Sequence, residues 1–381
     1  MTPLLTILLQ VFFIGFSQPK EIPEKPVNQL SIEEINTIFD ETNRDIKNQE
    51  VILELNSISK NLNGSFIYAQ NDSIIYRFTG GVKSFTVTNQ PNNTITDQSL
   101  FEIASLSKQI TAAAILLLVS RDSISFEESL SDFFPEIPFS NVKVKHLLTH
   151  TSGLPEYLDF EKELRTDTPF TNQMLVQYII LNSSKFKTIP EQKFEYVNTN
   201  YALLASIIEK VTGQKFEDYV RANILIPAQM NHTFFYTELK SIPNIDLCKG
   251  HLFNKREETD NILNSVIGDK SMYSTADDLF KWYKAYYFNY EIISKRWVDK
   301  AISPHNKIKG VLPSELYGYG LRIEKNPLHR KLVYHGGLWR GFHHVMTYRP
   351  DDQIFILFLS NFRNRAHNGK TKLLLDIIDG A

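Results

Sequence analysis

A serine three residues ahead of a lysine, at the start of a helix, is one way to make a hydroxyl reactive. Ser105 and Lys108 have that spacing inside Phe101-Glu102-Ile103-Ala104-Ser105-Leu106-Ser107-Lys108. The run that follows, Gln109 to Leu118, is rich in strong helix formers and free of Gly and Pro, which predicts a helix starting near Ser105. Residues three apart share a helix face, so the Lys108 amine belongs beside the Ser105 hydroxyl. A hydroxyl is a weak nucleophile until its proton is removed. A neighbouring amine can take it where burial disfavours the charged form, and a helix start stabilises negative charge that develops nearby. The spacing alone is common: it recurs at Ser17-Lys20, Ser57-Lys60, Ser140-Lys143 and Ser184-Lys187. Those copies contain or meet turn signals, or lack an apolar helix behind them. The plain alternative at Ser105 is an N-cap serine with an exposed lysine.

Such a pair needs a group that passes the proton to the leaving group, and donors for the oxyanion. Tyr196-Val197-Asn198 offers a phenol and an amide two residues apart, which can converge on one side of a cleft. Tyr287-Phe288-Asn289 has the same pattern by accident; the earlier copy is favoured by Phe194-Glu195 ahead of it and an apolar helix behind it. The structural alternative is a buried Tyr bonded to backbone, with Asn198 starting a helix. His335-Gly336-Gly337-Leu338 follows a strand, with Gly where backbone must come close to substrate. The Leu338 amide can then pair with the Ser105 amide as an oxyanion hole, and His335 adds a donor or a pH-dependent positive charge to the cleft wall. Trp339 and Phe342 are candidates for lining the acyl pocket, and Arg340 is a candidate cation there.

The elements that must hold these residues follow from the rest of the chain. Ser65–Ala69 and Ser73–Phe78, flanking Gln70-Asn71-Asp72, predict a hairpin. From Ser105 to about Val220 the pattern is mostly helical, with Leu203, Leu204, Ile207, Ile208 and Val211 as an apolar face ending at Gly213. Strands return over 332–335, 344–348 and 354–359, and a helix closes the chain over 373–378. Strands from both ends then share one sheet, flanked by helices, with a helical lobe over approximately 115–235 inserted between them. The first 18 residues read as an export signal and 19–30 as a Pro- and charge-rich linker, leaving 31–381 as a single catalytic domain. That places the protein in the periplasm or outside the cell, with no stable membrane insertion once the signal is removed; a short anchor or a buried strand are the competing readings. The sole cysteine, Cys248, cannot form an internal disulfide. Of 381 residues, 42% are hydrophobic, enough for a sizeable core, and the formal net charge of −2, with no dense basic stripe, removes the case for nucleic acid. His146 and His150 have the i, i+4 spacing of helical metal ligands, but the stretch lacks a His-Glu-x-x-His glutamate, so the reading is structural and no metal or cofactor is expected.

In this order and context the motifs resemble the serine β-lactamase-like superfamily, which includes class C β-lactamases, D-Ala-D-Ala carboxypeptidases and related esterases. The resemblance runs from about Gly64 to Leu359. It rests also on His146-Leu147-Leu148-Thr149-His150-Thr151-Ser152-Gly153-Leu154-Pro155, Tyr273-Ser274-Thr275-Ala276-Asp277-Asp278-Leu279, Tyr317-Gly318-Tyr319-Gly320 and Gly341-Phe342. It implies an α/β (α+β) sandwich with a mixed, mainly antiparallel sheet and a helical lobe, and an acyl-serine mechanism. Ser105 then resembles the nucleophile, Lys108 the amine that helps deprotonate it, Tyr196 the general base or relay, and Asn198 the substrate-amide contact. His335, Gly337, Leu338 and Arg340 are carried as further substrate-binding candidates. His335 stands where β-lactamases usually have the Lys of Lys-Thr-Gly. A histidine is largely neutral near pH 7, so the departure points away from efficient β-lactam turnover and toward peptidases and esterases. The sequence is therefore read as a serine hydrolase of esters, small peptides or amides, cell-wall fragments among them. The alternatives are a β-lactamase, or a catalytically inactive relative that binds peptidoglycan or a protein.

Overall fold

In the computed structural model, residues 49–60, 62–87, 92–162, 168–186, 188–306, 316–325, 330–363 and 366–379 are described. The export signal and the linker lie outside them. The described residues fall into two compact units. One is residues 62–368; the other takes residues 49–60 and the chain from Gly369 onward. The sequence reading had treated 31–381 as one domain.

In the smaller unit, helix α1 (residues 49–60) buries Leu55 and Ile58, and the Lys370 ammonium caps the Ile58 carbonyl at 3.0 Å. The larger unit is built on a six-stranded antiparallel sheet in the order β2-β1-β9-β8-β7-β6. Its strands are β1 (Gly64–Gln70), β2 (Ser73–Gly80), β6 (Arg322–Lys325), β7 (Lys331–Trp339), β8 (Phe342–Arg349) and β9 (Ile354–Ser360). The first hairpin forms because Asn71, with φ 56°, turns the chain between two β-prone runs. β1 then pairs along its length with β9, Gly64 opposite Ser360 and Gln70 opposite Ile354, so the two ends of the unit close one sheet.

Helix α2 (Ser107–Ser120) buries nearly its whole circumference, as its near-continuous apolar run requires. Gln109 crosses it to the sheet, donating to the Met346 sulfur at 3.6 Å while its oxygen accepts from Tyr287 OH at 2.6 Å. Helix α3 (Asn172–Asn182) and helix α4 (Thr199–Thr212) belong to the inserted lobe, and α4 ends where Gly213 adopts φ 67°. Helix α5 (Ala276–Tyr283) packs on the sheet through Tyr283 and Phe355, ring centroids 4.6 Å apart. A second, three-stranded sheet has the order β3 (Phe101–Glu102), β5 (Met272–Ser274), β4 (Phe234–Phe235). It was not read from the sequence, because strands this short carry no alternation to detect.

Candidate active site

Ala104–Leu106 forms one 3-10 turn between β3 and α2, and Ala104 takes a left-handed φ of 50°. Such a conformation costs a non-glycine residue about 1 kcal/mol or more. The kink delivers Ser105 to the amino end of α2, where amide N–H groups have no intrahelical acceptor. Behind it, the His344 ring accepts from the Ser360 amide at Nδ1 and donates from Nε2 to the Glu102 carbonyl at 2.7 Å, tying β3 to the large sheet.

Lys108 is completely buried. Its Nζ lies 3.0 Å from Ser105 Oγ, 2.8 Å from Asn198 Oδ1 and 2.8 Å from the Asp269 carbonyl. The amide oxygen and the carbonyl can only accept, so they take two of the amine's N–H bonds. The third position faces Ser105 Oγ and is an N–H in the ammonium form or a lone pair in the amine form. The Tyr196 hydroxyl lies 2.9 Å from the same Oγ. Alcohol, amine and phenol thus meet at one atom.

Asn198 is committed at both ends. Its Nδ2 and its backbone N–H donate to Glu156 Oε2 at 2.9 and 2.8 Å while its oxygen receives Lys108. It is a clamp on the amine before it is a contact for substrate. Burial pushes the Glu156 carboxyl above its usual range, and the Asn198 amide bonds draw it partly back. The Tyr196 segment is gripped by His150: the Glu195 N–H donates to the His150 carbonyl at 2.9 Å, and Val197 N–H and Asn200 Nδ2 both reach His150 Nδ1. The His150 ring lies on that of Tyr196 with centroids 4.3 Å apart. Since Nδ1 accepts twice, the ring proton sits on Nε2. Burial first, then the charge of Lys108, holds this imidazole well below its ordinary pKa.

His335 is buried rather than displayed. Its Nδ1 lies 2.7 Å from the Gly336 carbonyl and must donate to it, so Nε2 accepts from the Tyr317 hydroxyl at 3.0 Å. Burial, then the charges of Lys108 and Arg322, lower its pKa to about 3. The expected pH-dependent positive charge is therefore absent at working pH. The physical reason is the desolvation of a ring already facing two cations.

Along β7 the backbone itself supplies the chemistry. Arg340 and Gly341 have φ of 41° and 82° and close a two-residue hairpin in which Trp339 stands opposite Phe342. In such a hairpin the closing pair is hydrogen-bonded, so Gly337 and Trp339 bond to β8 while Gly336 and Leu338 turn their N–H and C=O groups the other way. β6 pairs only as far as Tyr334, so it leaves that edge uncovered from His335 onward. Gly337 brings the strand against the turn that carries Ser105: a Cβ there would stand 2.6 Å from the Ile103 carbonyl oxygen.

A cavity of about 330 Å³ opens at this edge, lined by Ser105, Tyr196, Asn198, Leu158, Arg322 and residues 335–339 among others. Arg340 does not line it. At the hairpin tip, Arg340 pairs with Glu161 at 3.2 Å and borders a different hollow together with Phe342. Two cations line the cavity: Lys270, paired with Asp269 at 3.8 Å, and Arg322, whose guanidinium sits 5.3 Å from the Tyr196 ring centroid with no acidic partner among the described residues. The sequence held a signal for Arg322, which stands one residue, Leu321, beyond Tyr317-Gly318-Tyr319-Gly320. Glu156 and the Asp269 carbonyl had no comparable signal. His146 accepts the Lys143 N–H and faces Glu191, and among the described residues no cluster of three or more metal-ligating side chains occurs.

A family model described as Beta-lactamase matches residues 60–378. Penicillin-binding protein 4* of Bacillus subtilis (strain 168) is 31% identical over 329 residues, which cover 83% of this chain and 71% of that one. Among solved structures, the octameric penicillin-binding protein homologue from Pyrococcus abyssi is similar with a TM-score of 0.73 at 26% identity, covering 87% of this chain and 76% of that one. The D-amino acid amidase of Ochrobactrum anthropi SV3, complexed with L-phenylalanine, has a TM-score of 0.71 at 22% identity over 88% and 98% of the two chains, a likeness of fold.

Proposed function

The chain belongs to the Beta-lactamase family and is a serine hydrolase of that type, and we propose that it acts through an acyl-enzyme on Ser105, cleaving small peptides or amides whose leaving group carries a carboxylate. The observation that carries this reading is the pair of contacts at Ser105 Oγ, 3.0 Å to the Lys108 amine and 2.9 Å to the Tyr196 phenol, beside an open β-edge. The amine form of Lys108 accepts the hydroxyl proton as Oγ attacks the acyl carbon. The oxyanion forms between the amides of Ser105 and Leu338, and the proton reaches the leaving nitrogen through Tyr196. Water follows the same path in reverse to release the acid. Asn198 and Glu156 hold the amine on its line. The names of the relatives, a penicillin-binding protein and a D-amino acid amidase, support amide or peptide substrates, cell-wall fragments among them.

Because the leaving group departs toward Tyr196, Arg322 lies at its end of the cavity. A half-buried guanidinium without an acidic partner among the described residues favours a carboxylate there. A fluorophosphonate probe should label the wild type and fail to label Ser105→Ala; a folded wild type that resists labelling would leave only the binding-protein reading. Acyl-D-alanine should be cleaved faster than its C-terminal amide, and Arg322→Gln should erase the difference at a cost of roughly 10- to 100-fold in kcat/KM, the range of one charged hydrogen bond. We also place the enzyme in the periplasm or outside the cell, on the apolar run from Leu4 to Ile14 and the small residues after it. N-terminal sequencing of the exported protein tests this, with cleavage near residue 18 expected.

A further inference from the structure

The two ends of the cavity differ in what they leave unspent. At the Arg322 end a charged group awaits a partner. At the other end, four residues along β7 from His335, or roughly 13 Å at the rise of a strand, the charges are consumed by one another. Lys270 borders the cavity there, yet its three N–H bonds go to Tyr157 OH at 2.6 Å, Leu263 O at 2.8 Å and Val266 O at 3.2 Å. Tyr157 OH in turn donates to Asp269 Oδ2 at 2.9 Å, and Asp269 Oδ1 stands 3.8 Å from the same ammonium. The cavity's apolar lining is Leu158, Leu338 and Trp339, beside the polar His343 and the Lys270–Asp269 pair. Leu338 is 49% exposed, a large side chain left in water beside the nucleophile.

Trp339 is held for the purpose. Its Nε1–H donates to Asn264 Oδ1 at 3.1 Å, and Asn264 is itself fixed by a 2.7 Å bond to Asp260. The Lys270 ammonium lies 5.0 Å and the Arg340 guanidinium 5.2 Å from its ring. An indole with its polar handle bonded and cations against its ring does not rotate aside, so its rim forms a fixed wall.

We propose that this end is an acyl subsite for a bulky apolar group, an aromatic one above all, walled by Trp339, Leu158 and Leu338. The inference rests on the acyl-enzyme reading above: the leaving group departs toward Tyr196 and Arg322, so the acyl group occupies the Trp339 end. The substrate class it names is an amino acid or short peptide whose amine is acylated by an aromatic or large aliphatic acid or residue.

A matched series with D-alanine as the common leaving group tests it, with acetyl, butyryl, 3-phenylpropionyl and glycyl as acyl groups. In the wild type kcat/KM should rise by about 10- to 100-fold from acetyl to 3-phenylpropionyl, the span that burying a ring in an apolar pocket commonly gives. Trp339→Ala should collapse that ratio, mainly through KM, and Trp339→Phe should restore most of it. Binding of 3-phenylpropionate should change the tryptophan emission of the wild type and not that of Trp339→Ala, where Trp282 and Trp297 remain. A flat series in the wild type would overturn the proposal without any variant, as would a preference for the ammonium-bearing glycyl group or a ratio indifferent to Trp339. Absence of fluorophosphonate labelling would instead overturn the acyl-enzyme reading beneath it.

Discussion

At the scale of single residues, the site separates groups that react from groups that aim them. Tyr196 donates to Ser105 Oγ, and what fixes Tyr196 is His150, by a ring against its own and by bonds to Glu195, Val197 and Asn200. Tyr196→Phe should lower kcat by about 10²- to 10⁴-fold, the usual worth of a positioned proton-transfer group. His150→Leu keeps the phenol and loses its hold. It should reduce kcat by about 10-fold with KM little changed, and His150→Asn, which keeps one acceptor for Val197 N–H, should recover part of the loss; equal damage to kcat and KM in both variants would refute a positioning role. Ser105, Lys108 and Tyr196 were readable because each is a chemical type in a motif. His150 was visible as a histidine at metal-like spacing and as part of the 146–155 motif, with no role attached, and its role depends on a fold in which residues 150 and 196 touch. Arg340 was the wrong cation for a similar reason. Adjacency to the strand end says nothing of which side of a hairpin a side chain leaves, and its left-handed turn position sends it to Glu161.

At the scale of elements, the open edge beside Ser105 exists because β7 outruns β6 and presses on the turn that carries Ser105. The two neighbouring glycines of β7 have unequal duties in this. A Cβ on Gly337 would meet the Ile103 carbonyl oxygen at 2.6 Å and His344 Cδ2 at 3.0 Å, whereas on Gly336 its nearest neighbour is the His344 carbonyl oxygen at an ordinary 3.7 Å. Gly337→Ala should therefore push the strand from the nucleophile and cost about 100-fold or more in kcat, as losing an oxyanion donor does, while Gly336→Ala stays within about 10-fold. Similar rates for the two variants would show that the close approach at Gly337 is not what sets the edge. The sequence announced the glycines but not their difference, because the deciding atom, the Ile103 carbonyl, lies far away in the chain, between β3 and the turn that carries Ser105. Long periodic elements such as α2, α4 and β9 were legible from their patterns; β3, β4 and β5, at two or three residues each, were not.

At the scale of the whole molecule, closing one sheet with strands from both ends of the 62–368 unit leaves two histidines buried behind the site, and that has a consequence for acid stability. His335 and His150 are both fully buried and neutral, with His335 held at about 3 by burial and by the charges of Lys108 and Arg322. In the unfolded chain each would titrate near 6.5. Below that pH the unfolded state binds protons that the folded state refuses, so stability is intact above about 6.5 and falls as the pH is lowered toward 3. For His335 the slope approaches about 1.4 kcal/mol per pH unit, or on the order of 2 kcal/mol by pH 5, and His150 acts in the same direction. Other carboxyls titrate in the same range, so the difference between variants is the informative quantity. His335→Gln, which can keep the bonds to Tyr317 and Gly336 without a titrating ring, should be less stable than the wild type at pH 7.5 by some amount, and that deficit should shrink steadily between pH 6.5 and 4.5 in denaturant titrations. Parallel curves for the two proteins across that range would mean that His335 is protonated in the folded state after all, and that the neutral-histidine account of this site is wrong.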